Sequence, residues 1–233
     1  MENGKVFTSA IIVAAGSSTR MGQNKMLLEL GSKTVFERSV SAFEECGTID
    51  EIIVVTSQEN MARYRTSVRE QPFSKVKAIV CGGSTRQESV LKGIESCSKN
   101  ADFVVIHDGA RPLIKPETIA ETIREAETYG AASVAIRSRD SIKIVDAEGF
   151  AVDTVKRENT VLVQTPQTFR RELIMQAHYK AVEDGFVGTD DCVLLERMGH
   201  KIKMVYIPYF NIKLTVPDDI GLAKSILISR GKL

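Results

Sequence analysis

Ser9-Ala10-Ile11-Ile12-Val13 runs without a break into Ala14-Ala15-Gly16-Ser17-Ser18-Thr19-Arg20-Met21-Gly22. The apolar run through Ala15 is too short to cross a bilayer and reads as a buried strand. Small residues directly after a strand let the backbone approach a ligand, and exposed N–H groups there can cradle phosphate oxygens. A plain structural turn uses the same residue types, so this stretch leaves both readings open. No Gly-Lys-Ser/Thr follows at Walker A spacing, and no G-x-G-x-x-G is present, which counts against P-loop NTPases and Rossmann dehydrogenases.

The same pattern recurs along the chain. Glu51–Thr56, Val76–Val80, Phe103–His107, Ala132–Ile136 and Ile202–Tyr206 are further strand candidates, several of them nearly continuous Val/Ile runs of the kind covered on both faces. Helical signals lie between them. Thr34-x-x-Glu37 and Thr85-x-x-Glu88 read as capping boxes. Pro116 suits a first helical turn, with Gly130 as its stop. Arg170–Asp184 ends at Gly185, Thr189 is a candidate N-cap for 190–198, and Pro217-Asp218-Asp219 opens the last helix with acidic residues in its first turn. This β-α-β-α order predicts an α/β protein with a doubly wound, mostly parallel sheet, whose ligands sit beyond the carboxyl ends of the strands.

One stretch breaks the rhythm. Residues 137–159 are polar and charged, alternate at Ile142-Lys143-Ile144-Val145, and turn at Glu148-Gly149. They predict a β-hairpin arm, and since an isolated hairpin is marginal in water, an arm that packs on a second copy. Residues 1–233 otherwise read as a single domain, without repeat or linker.

Composition narrows the class. Hydrophobic residues are 43% and charged ones 26%, as in an ordinary globular protein that needs no disulfide or structural metal. A net charge of +1 supplies no basic field for nucleic acid. The 4 cysteines and 3 histidines are scattered, with no zinc spacing or disulfide framework, which favours a reducing compartment. With no apolar segment behind the N-terminus, the expectation is a cytoplasmic protein with no membrane and no nucleic-acid partner.

Several residues at strand ends can carry chemistry. Arg20 and Lys25 share one short loop and could grip a triphosphate, or remain solvated surface charges. Asp108, closing Val104-Val105-Ile106-His107-Asp108, could hold Mg²⁺, which typically takes one or two carboxylates, or could cap a turn with Arg111 as its ion-pair partner. The segment Gly82–Ser89 could read a base edge through backbone groups, or serve only as a helix cap. Thr165-Pro166-Gln167, Gly188-Thr189-Asp190-Asp191 and Asn211-Ile212-Lys213 lie downstream, Lys213 as a further cation.

Taken in order, these segments resemble the 2-C-methyl-D-erythritol 4-phosphate cytidylyltransferases of the non-mevalonate isoprenoid pathway. The resemblance spans nearly the whole chain. It is carried by A-A-G-x-x-x-R-M with Lys25 behind, G-G-x-x-R-x-x-S at 82–89, H-D-G-A-R-P at 107–112 and D-S-I-K at 140–143. Q-T-P-Q at 164–167, G-T-D-D at 188–191 and N-I-K at 211–213 complete it. It implies CTP as co-substrate along Ala14, Ala15 and Gly16, with Arg20, Lys25 and Lys213 as catalytic cations. It further implies cytosine at Gly83 and Ser89, nucleoside at Gly109 and Ala110, and Mg²⁺ on Asp108. Ser141, Arg157, Thr165 and Thr189 would bind the sugar-alcohol phosphate, Arg157 across a homodimer interface. Ser141 stands where the family often has Thr, Ser84 where Asp is common, and Val13 where Pro often precedes A-A-G. Ribitol 5-phosphate cytidylyltransferase has the same donor and reaction. A glycosyltransferase is disfavoured for want of Asp-x-Asp, and a non-catalytic nucleotide sensor by the retained cations.

Overall fold

The computed structural model describes residues 6–16 and 24–233. In chain order the elements are β1 (Thr8–Ala14), β2 (Glu29–Leu30), β3 (Lys33–Thr34), α1 (Val35–Glu44), β4 (Glu51–Thr56), α2 (Met61–Glu70) and β5 (Val76–Cys81). There follow α3 (Arg86–Ser96), β6 (Phe103–Asp108), α4 (Pro116–Tyr129), β7 (Ala131–Arg137), β8 (Ile142–Val145), β9 (Ala151–Val155) and β10 (Val161–Arg170). The chain closes with α5 (Arg171–Glu183), α6 (Cys192–Glu196), β11 (Lys203–Tyr206) and α7 (Asp218–Ser229).

Seven strands form one sheet in the order β11-β7-β10-β6-β1-β4-β5. Every pairing is parallel except the two that β10 makes with β6 and β7. Successive strand residues feed opposite faces, as the two-residue period of a strand requires. Ile12, Ile52 and Val54 pack with Phe36, Phe43 and Ile119 on the face covered by α1, α4 and α7. Ile11, Ile53 and Val55 pack with Val90, Ile94 and Ile174 on the face covered by α3, α5 and α6. The predicted doubly wound sheet is therefore present. Among the described residues no helix is long and apolar enough to cross a membrane.

The expected helix signals operate with two adjustments. Thr34 and Glu37 form a reciprocal capping box on α1. Thr85 accepts from the Glu88 amide, but the Glu88 carboxylate turns back to the Ser84 amide and hydroxyl instead of the cap itself. Gly130 stops α4 in the left-handed conformation at φ 84°. Thr189 does not cap the helix after it. That helix starts at Cys192, and Asp190 Oδ1 accepts from the Val193 amide at 3.1 Å.

Strand β10 was not among the expected strands. It contains Gln164-Thr165-Pro166-Gln167-Thr168, and a proline argues against a central strand because it has no N–H for the ladder. The ladder to β7 shifts register between Val163 and Gln167, so Pro166 sits in the irregularity. The polar side chains are buried because they find partners: Thr168 Oγ1 donates to Thr122 Oγ1 at 2.9 Å, and Gln164 Oε1 accepts from Asn211 Nδ2 at 3.0 Å.

β8 and β9 pair only with each other, as an antiparallel hairpin outside the main sheet. Gly149 holds φ at 90°, and Asp146 Oδ1 accepts from the Glu148 and Phe150 amides, which closes the turn. The predicted arm is therefore present.

Candidate active site

The carboxyl ends of β1, β4 and β6 lie side by side, with Ala14 opposite Thr56 and Val13 opposite Asp108. Asp108 sits at this edge, almost buried. Lys213 Nζ lies 2.7 Å from its Oδ2, and Arg86 Nε lies 3.1 Å from its Oδ1. Burial alone would raise the Asp108 carboxyl. The Arg86 and Lys213 charges outweigh it and hold the group well below the usual carboxylate range.

The backbone of Asp108 is fixed as firmly as its side chain. Its N–H donates to Thr165 Oγ1 at 3.0 Å, and that hydroxyl also lies 3.2 Å from His107 Nδ1. His107 Nε2 lies 3.1 Å from the Arg111 carbonyl, which only accepts, so Nε2 carries the ring proton and Nδ1 accepts from Thr165. Burial pushes the His107 pKa down to about 4, so the ring is neutral at pH 7. Thr165 is thus spent on seating Asp108.

Lys213 is seated by its own segment. Leu214 N donates to Ala110 O at 2.8 Å, and Arg111 Nη1 donates to Asn211 O at 2.8 Å. Buried Asn211 donates to Gln164 Oε1 and Thr165 O. The H-D-G-A-R-P and N-I-K segments, about a hundred residues apart in sequence, are therefore stitched together at β10. Arg111 is not the ion-pair partner expected for Asp108; Arg86 and Lys213 take that place.

A second carboxylate extends the cluster. Arg86 Nη1 lies 2.8 Å from Asp191 Oδ2, and His178 Nε2 lies 3.3 Å from Asp191 Oδ1. Asp191 is fully buried; burial raises its carboxyl, and the Arg86 charge more than reverses this. Burial likewise lowers Arg86, and the two aspartates raise it above its ordinary value. Two glutamines fix the loop that carries Asp191. Gln167 accepts from the Asp191 amide and donates to Asp190, and Gln87 accepts from the Gly188 amide and donates to Phe186 O.

The remaining expected residues divide by place. Gly82 follows β5, and a Cβ added there would lie 2.9 Å from the Ala15 Cβ, so the loops after β1 and β5 touch. Ser89 Oγ accepts from the Gly83 amide and donates to Thr85 O. It shapes the glycine turn from inside and is itself buried. Gly109 faces Met26: an added Cβ would lie 2.7 Å from Met26 Cε and 3.2 Å from Val13 O. That close approach packs the short 3₁₀ turn Lys25–Leu27 under the Asp108 loop. Lys25 begins this turn, with Asn24 as its cap, and its charge reaches Asp219 in the first turn of α7. Ala14 ends β1 in the core, Ala110 is buried beside Asp108, and Gly16 is exposed, with no atom of the described residues close to a Cβ added there. Arg20 lies outside the described residues. Thr189 is exposed on the Gly188–Asp191 loop. Ser141 and Arg157 come together at the base of the arm, Nη2 to Oγ 3.1 Å.

Arg86, Asp191 and His178 carry much of the site's charge structure and had been given no role. One signal was available for Arg86. A cation at the first position of a helix opposes the helix dipole, so a basic residue there needs a reason. For His178, on α5, no local signal exists.

Asp108 fits a hard cation. Its carboxyl is ionised, slightly exposed, and each oxygen keeps acceptor capacity beyond its one cationic partner. No group of three or more candidate ligands occurs among the described residues, so the ion would need phosphate oxygens and water to complete its shell.

Known proteins share this architecture from end to end. The family model for IspD, 2-C-methyl-D-erythritol 4-phosphate cytidylyltransferase, matches residues 8–229. The protein of that description from Caldanaerobacter subterraneus subsp. tengcongensis is 48% identical over 222 residues, 94% of this chain and 98% of its own. The crystal structure of the 4-diphosphocytidyl-2C-methyl-D-erythritol synthase from Anaerococcus prevotii superposes with a TM-score of 0.87 at 30% identity, covering 96% of this chain and 97% of that one. The cytidylyltransferase structure from Thermus thermophilus gives 0.76 at 28% identity, covering 95% and 98%. With the family model matched over residues 8–229 and relatives aligned along nearly their whole length, this chain belongs to the 2-C-methyl-D-erythritol 4-phosphate cytidylyltransferase family.

Proposed function

We propose that the crevice at Asp108 transfers the cytidylyl group of CTP to 2-C-methyl-D-erythritol 4-phosphate, a step of isoprenoid precursor synthesis. The products are 4-diphosphocytidyl-2-C-methyl-D-erythritol and pyrophosphate. The observation that carries this reading is the position of Lys213 and Arg86 on one ionised carboxylate at the carboxyl edge of the sheet.

Two polyanions must meet for the reaction to occur. An oxygen of the acceptor phosphate attacks the α-phosphorus of CTP, a new P–O bond forms, and the bond to the β-phosphate oxygen breaks. The electron pair leaves with pyrophosphate. A phosphate monoester is already nucleophilic, so the protein's task is charge neutralisation and positioning. Lys213 is held by Asp108 and the Asn211–Leu214 staples, and so presents its charge without reorganising. Lys25 and Arg20 add cations from the loop after β1. Ala14, Ala15 and Gly16 line the phosphates, and Gly83, Ser89, Gly109 and Ala110 shape the nucleoside pocket. Asp108 is the residue that would hold Mg²⁺, which supplies further charge neutralisation on the CTP phosphates when bound.

Ser141 and Arg157 are the proposed acceptor contacts on the arm, with Thr189 near the crevice and Thr165 acting through Asp108. The arm exposes Phe150 (70%), Val152 (62%) and Val145 (57%), and a second copy is the proposed cover. A pyrophosphate-release assay with Mg²⁺, comparing CTP, UTP and ATP and methylerythritol phosphate against ribitol 5-phosphate, tests the reading. Release is expected only with CTP and methylerythritol phosphate. Faster release with ribitol 5-phosphate reassigns the acceptor, and CTP binding with no release under any combination leaves a sensor.

A further inference from the structure

A cavity with a volume of about 650 Å³ lies away from Asp108, between α1, the start of α4 and the end of α7. Its lining shares no residue with the charged crevice. It is strongly biased in charge: Lys33, Arg38, Lys115, Arg230 and Lys232 face two carboxylates, Glu45 and Glu117, both on exposed residues.

The two arginines are unusual within it. Arg38 Nε donates to Leu30 O at 2.5 Å and its Nη2 to Lys232 O at 3.1 Å. Arg230 Nη1 donates to Leu113 O at 2.8 Å. Both are partly buried, and burial pulls both guanidiniums below their ordinary range with no opposing acid. Among the described residues none of the five cations has a carboxylate within ion-pair distance. Lys33 Nζ donates to Ser41 Oγ at 2.7 Å, and its charge also acts on the Glu37 carboxylate, beyond ion-pair distance. Partly buried cations are ordinarily paired, because desolvation without a counter-charge is unfavourable. Here several such groups converge on one hollow. The first turn of α4 adds its dipole, since Lys115 at the N-cap offers no side-chain cap.

We propose that this cavity is a second ligand site, taking a soluble polyanion of nucleotide size that carries two or more phosphate groups. The size follows from the volume, which lies within the range of roughly 300–1,000 Å³ typical of small-molecule sites and exceeds what one phosphate fills. The need for several phosphates follows from the spread of cations over β3, α1, the N-cap of α4 and the residues after α7, with guanidiniums suited to forked phosphate contacts. The site touches the crevice through shared backbone. Ser39 of α1 donates to Gly109 O, and the wall residues Pro112 and Ile114 continue the Asp108 loop.

The test is titration of the full chain with inorganic tripolyphosphate, and separately with CTP, followed by backbone amide chemical shifts. Saturable shifts are expected at Lys33, Arg38, Lys115 and Arg230, besides any at Gly83 and Asp108. The double variant Lys115→Glu, Lys232→Glu changes exposed positions, so folding is not at stake. It should weaken the first set by about tenfold or more and leave the second set, and turnover measured without tripolyphosphate, unchanged. A response to both probes names free nucleotide as the ligand class, and a response to tripolyphosphate alone names an inorganic polyphosphate. Shifts confined to the Asp108 crevice, or equal affinity in the double variant, overturn the proposal.

Discussion

The Asp108 crevice and the β8–β9 arm both carry residues proposed to meet substrate, and they are built in opposite ways. In the crevice the two described aspartates are answered within the same chain: Asp108 by Lys213 and Arg86, Asp191 by Arg86, with His178 Nε2 3.3 Å from it. In the arm, Arg157 has a hydroxyl for a partner, and large apolar side chains stand in water. Charges that must act on a triphosphate are set before it arrives, which is what preorganisation means in energetic terms. The arm has no such internal support, so its geometry depends on what it packs against.

The contrast is strongest at Asp191. Removing its charge by Asp191→Asn leaves Arg86 next to a buried neutral amide, and a buried pair broken on one side is costly. Unfolding stability should fall by about 3 kcal/mol, read as a lower urea midpoint at unchanged slope. With Asp108 as its one remaining carboxylate partner, Arg86 should also shift towards it and disturb the crevice, so turnover falls with stability. A comparable neutral substitution at Arg157 should leave stability within about 0.5 kcal/mol, because surface changes away from such networks rarely exceed that. Equal loss at the two positions would remove the distinction between the regions.

The crevice should also respond to pH in a range where the arm does not. His107 is buried and neutral, with its pKa near 4 against 6.5 in the unfolded chain. Between those values the unfolded chain binds a proton that the native chain refuses. Stability is therefore full above about 6.5 and is lost as pH falls towards 4, by at most about 3 kcal/mol. The depressed carboxyls of Asp108 and Asp191 lose most of their contribution as pH falls through 3.8 and below, under the main His107 window. Urea midpoints at pH 7 and pH 5 measure the effect. The His107→Gln variant, which keeps a donor for Arg111 O and an acceptor for Thr165, should flatten the profile. An unchanged slope in that variant would falsify the assignment to His107.

Much of this was legible in sequence, and the exceptions have physical causes. The Val/Ile runs and the Thr34 and Gly130 signals place strands and helices because local preference and tertiary burial agree there. Asp108 and Lys213 were legible because each ends or follows a strand at the sheet's ligand edge. β10 was not, since its polar residues and Pro166 deny the periodic signal and are tolerated only through partners supplied by β7, α4 and the Asn211 segment. Asp190 rather than Thr189 accepts from the first turn of α6, at the Val193 amide, because Gln167 positions the aspartate from another element. The Arg86–Asp191–His178 chain joins three distant segments, and no pattern within any one of them encodes the contact.

The smallest effect is the one that decides where the arm acts. Arg157 is exposed, so a single contact to the acceptor phosphate is worth roughly a factor of ten. Arg157→Ala should raise KM for methylerythritol phosphate by about that factor while kcat stays near its original value, since uniform binding is what is lost. Lys213→Ala should instead abolish most turnover. Mixing the two variants separates intrachain from interchain geometry. If Arg157 reaches a partner's crevice, a mixed dimer contains one site with native Lys213 from one copy and native Arg157 from the other. With free exchange of subunits, roughly a quarter of all sites then regain both residues. Activity at low acceptor should rise above the mean of the separate variants. If Arg157 serves its own crevice, no mixture restores a complete site, and activity stays at that mean.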